Sequence, residues 1–374
     1  MRANTRVILS IFAIALMVGV TACNRSGSIG LTDLSSGSEG TADDGDGTVD
    51  DGEGGTVCEE PTPAASYIYG AGLAKGDAIR LETDVPEAGQ ISSYNITTDE
   101  ESIVRYTKFN EYYVYELATE VYGRGWIQPG GYAAFMTPSS MDSELAIGMA
   151  IDPAITDLTS YLAKSYIAIS FRHRDDGVNF LLMEVDADGN ITAAEGSNIQ
   201  EPPQDAAPSN INLLDLQYTP ALNCFIAVMN IGDRLRTLTA FAREGVLLID
   251  MGVGEGFAIM VEQPTSVIPT GIQVGDVYKG FEYKRTAEVG GAANYESTLT
   301  VTARPSDDSI VMDFVNPLES NSGVTILPIG DNWPGFFGVA GGQAGGIFLG
   351  PNVFIFADNH GTPWGFNYGI AFKE

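Results

Sequence analysis

Three stretches of this chain repeat one pattern, and that pattern decides what it can fold into. Tyr132 to Asp152 reads YAAFMTPSSMDSELAIGMAID, Val246 to Gln263 reads VLLIDMGVGEGFAIMVEQ, and Val353 to Glu374 reads VFIFADNHGTPWGFNYGIAFKE. Each is an apolar strand, a polar or glycine-bearing turn and a second apolar strand, which is the signature of a hairpin. Pro153 and Pro264 follow the first two, where a residue without an N–H ends sheet pairing. The segment starts agree in kind: SYIYG begins at Ser66, SYIAISF at Ser165 and DVYKGFEY at Asp276. The last two starts lie about 111 residues apart, the same spacing as the endings.

Helical signals are few. ITDLTSYLA, Ile155 to Ala163, supplies one or two turns, and nothing longer has a 3.6-residue period. With 44 Gly and 10% aromatic residues the composition is turn-rich and apolar, so an all-β fold is expected. The period is too long for a propeller blade and suits small sandwiches or barrels. We therefore expect tandem β-sandwich or β-barrel modules, three related units at residues 62–152, 153–263 and 264–374. Alternating apolar residues and an aromatic C-terminus also fit an outer-membrane barrel, but continuous runs such as VLLI point to a buried core instead.

Ahead of the modules, residues 24–61 are dominated by Gly, Ser, Asp and Glu. Such a segment buries too little apolar surface to fold, and it is expected to be a disordered acidic tether with about 35 Å of mean reach. Its DDGDGTVDDGEG tract has no fixed geometry to recommend it as a cation site. Residues 1–22 read as a signal peptide: Arg2 and Arg6 form a positive start, and Val7 to Val20 an apolar run of about 14 residues. That is short of the roughly 20 needed to span a bilayer.

The run ends in Val20-Thr21-Ala22-Cys23, which resembles the lipobox of bacterial lipoproteins. The resemblance implies that the Cys23 thiol takes a diacylglyceryl group, that the chain is cut before it, and that the new amino terminus is acylated. Several acyl chains, each methylene contributing about 0.8 kcal/mol, make a stable anchor. Asn24 follows where enteric lipoproteins retained in the inner membrane carry Asp, so the resemblance implies the outer membrane, with the periplasmic or cell-surface side left open. A second similarity lies in GFFGVAGGQAGGIF, Gly335 to Phe348. It resembles the Gly-Phe strand pattern near the end of transferrin-binding-protein-like surface lipoproteins, and it transfers no binding residues.

The formal charge of −30, from 19 basic and 49 acidic residues, sets the body against phosphate backbones and anionic lipid. Nucleic acid is not expected as a partner. With Cys23 committed to lipid, Cys58 and Cys224 form an even pair in an oxidising compartment. They are expected either to join as a disulfide or to stay apart, with Cys224 buried as a small apolar filler in CFIAVM.

Candidate chemistry is sparse. His173 sits between Arg172 and Arg174, whose charges oppose a bound cation, and reads as a surface hairpin residue. His360, in ADNHGTPWG, lies beside Asp358 and Asn359 and reads as part of a polar loop. GVGEGF at Gly252 mimics a dinucleotide loop, but no helix follows, so a hairpin turn is expected. Asp186-Ala187-Asp188-Gly189-Asn190 has the opening ligands of a calcium loop, yet Ile191 stands where that loop needs Gly and Ser197 where it needs Glu. An Asp-Gly turn is expected there as well. In EYYVYELATEVYGRGWIQPGGY, Tyr113 and Tyr115 share one strand face. Exposed together with Trp126, they would offer a stacking platform for a sugar or a partner surface.

No nucleophile elbow, metalloprotease helix, paired-cysteine motif or phosphate loop is present. The sequence therefore points to a non-enzymatic, outer-membrane-anchored lipoprotein with a binding or presentation role, without cofactor or metal, whose partner is an envelope protein, a glycan or a surface ligand. Two alternatives stay open: a lipocalin-like carrier of a small apolar ligand, and a polysaccharide hydrolase using two facing carboxylates.

Overall fold

In a computed structural model of the chain, the described residues are 67–374 apart from 72–77, 83–89, 97–98, 110–111, 119–120, 129–130, 137–144, 173–176, 232–233, 253–254, 287–290 and 360–364. Cys23, Cys58, the tether, His173 and His360 lie outside them. Residues 63–374 form one compact unit.

The unit is built from strands. Eight of them, β1 (Tyr67–Ala71), β2 (Ala78–Glu82), β3 (Gln90–Asn95), β4 (Glu100–Phe109), β5 (Tyr112–Ala118), β6 (Val121–Ile127), β7 (Tyr132–Met136) and β8 (Leu145–Ala150), pair in chain order. They close into a barrel where β1 meets β8 antiparallel. The next nine are β9 (Lys164–Arg172), β10 (Gly177–Val185), β11 (Asn190–Gly196), β12 (Ala207–Asn212), β13 (Gln217–Thr219), β14 (Cys224–Ile231), β15 (Arg234–Arg243), β16 (Val246–Asp250) and β17 (Gly256–Glu262). They form one open, curled sheet in the order β12-β11-β10-β9-β17-β16-β15-β14-β13. The last eight are β18 (Val277–Thr286), β19 (Gly291–Ser306), β20 (Ser309–Val315), β21 (Ser320–Pro328), β22 (Phe337–Val339), β23 (Gly345–Phe348), β24 (Val353–Asn359) and β25 (Gly365–Lys373). They close into a second barrel through β18 and β25.

The middle sheet explains the continuous apolar runs. In β9, Ile167, Ile169 and Phe171 belong to the core shared with the two barrels, while Tyr166 and Ala168 alternate onto the sheet's other face. All five residues of β16 are buried. A strand covered on both faces has no reason to alternate in polarity. The inner face is covered by chain from outside the sheet. The segment expected to hold a helix contains only a three-residue 3-10 turn, Thr159–Tyr161. Its Tyr161 is buried, and the hydroxyl donates to the carbonyl oxygens of Arg243 and Val246. Tyr166 in turn donates to the carbonyl of Tyr161 at 2.9 Å. A run this short, with the β-branched Ile155 and Thr159, gains too little to propagate a helix even though Asp157 accepts from the Thr159 N–H at 2.9 Å.

The last barrel turns two different faces to two different surroundings. Inside, Tyr278, Leu299, Met312, Phe337, Phe348 and Phe354 pack together. Phe337, Phe348 and Phe354 have ring centroids 4.8–5.9 Å apart. Outside, Phe281, Tyr283, Tyr368, Ile370 and Phe372 join the shared core. Tyr368 ties the whole unit together. Its ring lies 4.3 Å from that of Phe171 in β9, and its hydroxyl donates to the carbonyl of Leu145 in β8 at 2.5 Å. Trp333 makes a second tie: it is buried against Phe180 and Phe336, with its indole N–H donating to the Glu201 carbonyl at 2.7 Å. Aromatics of this size contribute about 1.5–3 kcal/mol each by burial.

Candidate functional site

The register of the first barrel separates the expected aromatic platform. Tyr113 pairs with Gly125 and Tyr115 with Gly123, positions that alternate with Trp126 along β6. Trp126 therefore sits on the opposite face of the barrel wall from the two tyrosine positions. It is only 8% exposed and stacks on Phe372 of the last barrel at 5.9 Å. Trp126 is a packing residue at a barrel–barrel contact.

Cys224 carries a free, buried thiol. Burial pushes its pKa up to about 12, with nearby Arg80 pulling the other way. A thiol so placed is unreactive, and Cys58, the partner offered for it by the sequence, lies outside the described residues.

The Asp-Gly segment is a turn. Asp186 accepts from the backbone N–H groups of Asp188 and Asn190 at 2.9 and 2.8 Å, and from the Asn190 amide at 2.8 Å. These donors, the Asn190 side chain first, lower its pKa. Gly189 takes φ +80°. A carboxylate so occupied has little left for calcium, and among the described residues no group of three or more His, Cys, Asp or Glu is placed to hold a metal ion. Gly252 likewise belongs to the β16–β17 connection and Gly256 opens β17, so a strand and not a helix follows. At Gly256, φ is +103° and an added Cβ would lie 1.8 Å from the Phe171 carbonyl oxygen, so only glycine fits.

A groove of about 470 Å³ runs along the outer wall of the last barrel, within the size range of ligand sites. Its lining includes Lys279, Phe281, Glu296, Ser297, Thr298, Val315 and Pro317. Strands β18, β19 and β20 supply the wall, and the β20–β21 turn supplies the lip. Asn316 builds that lip by accepting from the N–H groups of Leu318 and Glu319, both at 2.8 Å. Lys279 lies 3.5 Å from a carboxylate oxygen of Glu374, and Glu296 is paired with Arg124 of the first barrel. Val315 in the lining and Leu318, next to Pro317 in the β20–β21 turn, are 49% and 50% exposed. The groove thus offers an apolar floor between an ammonium and a carboxylate that already have partners. It contains one carboxylate, so the facing pair a glycosidase needs is not assembled there. Sequence patterning gives no sign of this groove, because Val315 reads as an ordinary strand residue and the lip depends on the Asn316 turn.

A different polar site lies inside the same barrel. Tyr278, Gly280, Glu282 and Lys284 alternate onto the inner face of β18, and by register Glu282 faces Tyr295 of β19 and Gly369 of β25. Glu282 is fully buried, and neither carboxyl oxygen has a hydrogen-bond partner. Burial raises its pKa to about 7. Ser297 and Asn367 lie beside the carboxyl and offset part of that rise.

No family model matches this chain, and no curated protein matches it. Among solved structures, similar chains include a protein of unknown function from Nostoc punctiforme, with 9% identity and a TM-score of 0.24, covering 58% of this chain and 97% of that one. Isotype 1 transferrin-binding protein B from serogroup B Neisseria meningitidis gives 10% identity and a TM-score of 0.24, over 80% of this chain and 66% of that one. Transferrin-binding protein B from Haemophilus parasuis gives 8% identity and a TM-score of 0.26, over 80% of this chain and 65% of that one. The likeness is weak, concerns β architecture alone, and carries no inference about ligand or activity. The Gly335–Phe348 segment that prompted the sequence resemblance contains β22 and β23. No helix among the described residues is long and apolar enough to cross a membrane.

Proposed function

We propose that this protein is an outer-membrane-anchored lipoprotein with a non-enzymatic binding role, and that the outer groove of its last barrel is the surface that engages the partner. The anchoring part rests on the Val20-Thr21-Ala22-Cys23 lipobox and the apolar run before it. The binding part rests on one observation: the groove leaves Val315 exposed beside an ion-paired Lys279 and Glu296, with exposed Leu318 following Pro317 in the same turn. Apolar side chains on a polar rim are what a peptide or protein surface recognises. A strongly acidic body also keeps copies of the chain apart and leaves the groove open.

The carrier alternative has less room in the last barrel, whose apolar half is filled by Tyr278, Phe337, Phe348 and Phe354. The test keeps the anchor and the full chain and replaces Val315 and Leu318 by Glu. A strain lacking the protein regains its envelope phenotype with the wild-type chain and not with the double variant. Full restoration by the double variant at equal abundance overturns the role of the groove. A mature chain found by mass spectrometry without fatty acid on Cys23 overturns the anchoring.

A further inference from the structure

The inner face of the last barrel is divided along its axis. One end is aromatic, with Phe354 packed against Tyr278, Phe337, Phe348 and Phe356 at 5.2–6.0 Å between ring centroids. Toward the other end, where β18 reaches Thr286 and β25 begins at Gly365, the inward positions become Glu282, Lys284, Tyr295, Ser297, Asp358 and Asn367. Four buried atoms in this half have no hydrogen-bond partner: both carboxyl oxygens of Glu282, Oγ of Ser297 and Oδ1 of Asn367. All four accept hydrogen bonds, and three of them can only accept when the carboxyl is ionised. An orphaned buried acceptor costs about 1–3 kcal/mol, so such a set persists where something else supplies donors.

We infer that the polar half of this barrel binds a small cationic group rich in N–H donors, such as a primary ammonium, with Glu282 as its counter-ion and Ser297 and Asn367 as further acceptors. The complementarity selects the ligand class. A divalent metal needs six or more oxygen ligands or a cluster of acids, and no such cluster exists among the described residues. An anion would meet acceptors and a carboxylate. An apolar group would leave all four atoms unsatisfied. Lys284, half-buried two residues along the same face, lowers the Glu282 pKa through its charge without forming an ion pair with it. The carboxyl therefore keeps its capacity for a second cation. Glu319 acts in the opposite sense, and Tyr295 feels Glu282 in turn. Phe356, whose ring lies over Gly369, closes the floor. This site lies on the inner side of the barrel wall, where Gly280 and Ser297 also border the outer groove, and neither proposal depends on the other.

Methylammonium is the probe, with tetramethylammonium, which has the charge but no N–H, as the control at matched ionic strength. The carboxyl carbon of Glu282 in the full chain is followed by NMR as pH is varied. Without additive it titrates near 7. With methylammonium at about ten times its dissociation constant the midpoint falls by about one pH unit, and tetramethylammonium leaves it in place. Glu282→Gln, a near-isosteric change, abolishes methylammonium binding, and Ser297→Ala weakens it about tenfold. A midpoint that methylammonium does not move overturns the inference and leaves water as the occupant. So does an equal shift with tetramethylammonium, or binding retained in Glu282→Gln. The wild-type titration stands by itself if either variant fails to fold.

Discussion

The middle sheet and the last barrel solve the same problem in opposite ways. The barrel closes on itself and fills its apolar half with its own rings, chiefly Phe337, Phe348 and Phe354. The sheet stays open, ends in two edge strands, and borrows Tyr161 from the preceding segment to cover its inner face. Closure removes edges, whereas an open sheet must guard them. The guard here is chemical: β12 is short, largely exposed and carries Pro208, and β13 has only three residues. Closure also encloses a wall on both sides, and that lets a glutamate be trapped inside the barrel. The difference teaches that enclosure, more than polarity of sequence, decides which side chains of this unit lose water.

The largest effects should come from removing a filler on each side of the comparison. Phe354→Ala in the barrel and Tyr161→Ala over the sheet should each cost about 3–5 kcal/mol, read by denaturant unfolding. In the tyrosine variant, hydrogen exchange should also quicken in β15 and β16, whose carbonyls at Arg243 and Val246 lose their donor. A cost under about 1 kcal/mol for Tyr161→Ala would break the claim that the sheet depends on borrowed chain.

Next in size is Glu282. Its folded pKa of about 7 lies above the usual glutamate value, so the folded state holds a proton that the unfolded chain releases. Its contribution to stability is full below about pH 4 and is lost as pH rises through about 7, a change of about 3 kcal/mol. Glu282→Gln should flatten that slope and raise the melting temperature above pH 7. An unchanged pH profile would show the carboxyl to be solvated, and the contrast between enclosed and open regions would fail there.

Smaller effects sharpen the picture. Tyr161→Phe and Tyr368→Phe each remove hydroxyl bonds while keeping the ring, and should cost about 1 kcal/mol. Smallest of all, Arg172→Ala breaks an ion pair with Glu195 whose side chains are 38% and 40% exposed. A loss of at most about 1 kcal/mol is expected, declining with salt.

Much of the architecture is legible in the sequence, because hairpins announce themselves locally. YAAFM and LAIGMA become β7 and β8, VLLID and GFAIMVE become β16 and β17, and VFIFADN and GFNYGIAFK become β24 and β25. The Asp186 turn is legible for the same reason, since its chemistry lies within five residues. What joins distant strands is not. Nothing local says that β1 meets β8 or that the middle sheet stays open. The site inside the last barrel is hidden by a reversal of the usual reading. In YKGFEYK, a glutamate between Phe281 and Tyr283 looks like the wet side of an alternating strand. Here both aromatics face outward into the shared core, so alternation sends Glu282 inward. Trp126 fails as an exposed aromatic for a related reason: the wall it stands on is docked against Phe372.

The Tyr368 hydroxyl, reaching from the final strand to the Leu145 carbonyl, has a practical consequence for anyone dissecting this chain. Cutting at the sheet boundaries severs that contact and lays bare Phe171, Phe257, Phe281 and Tyr283 on whichever fragments result. Fragments would stick to one another and to bystanders, and their adhesion would imitate recognition. Binding is best mapped by point changes in the intact chain, with truncations kept for asking which third begins to fold first.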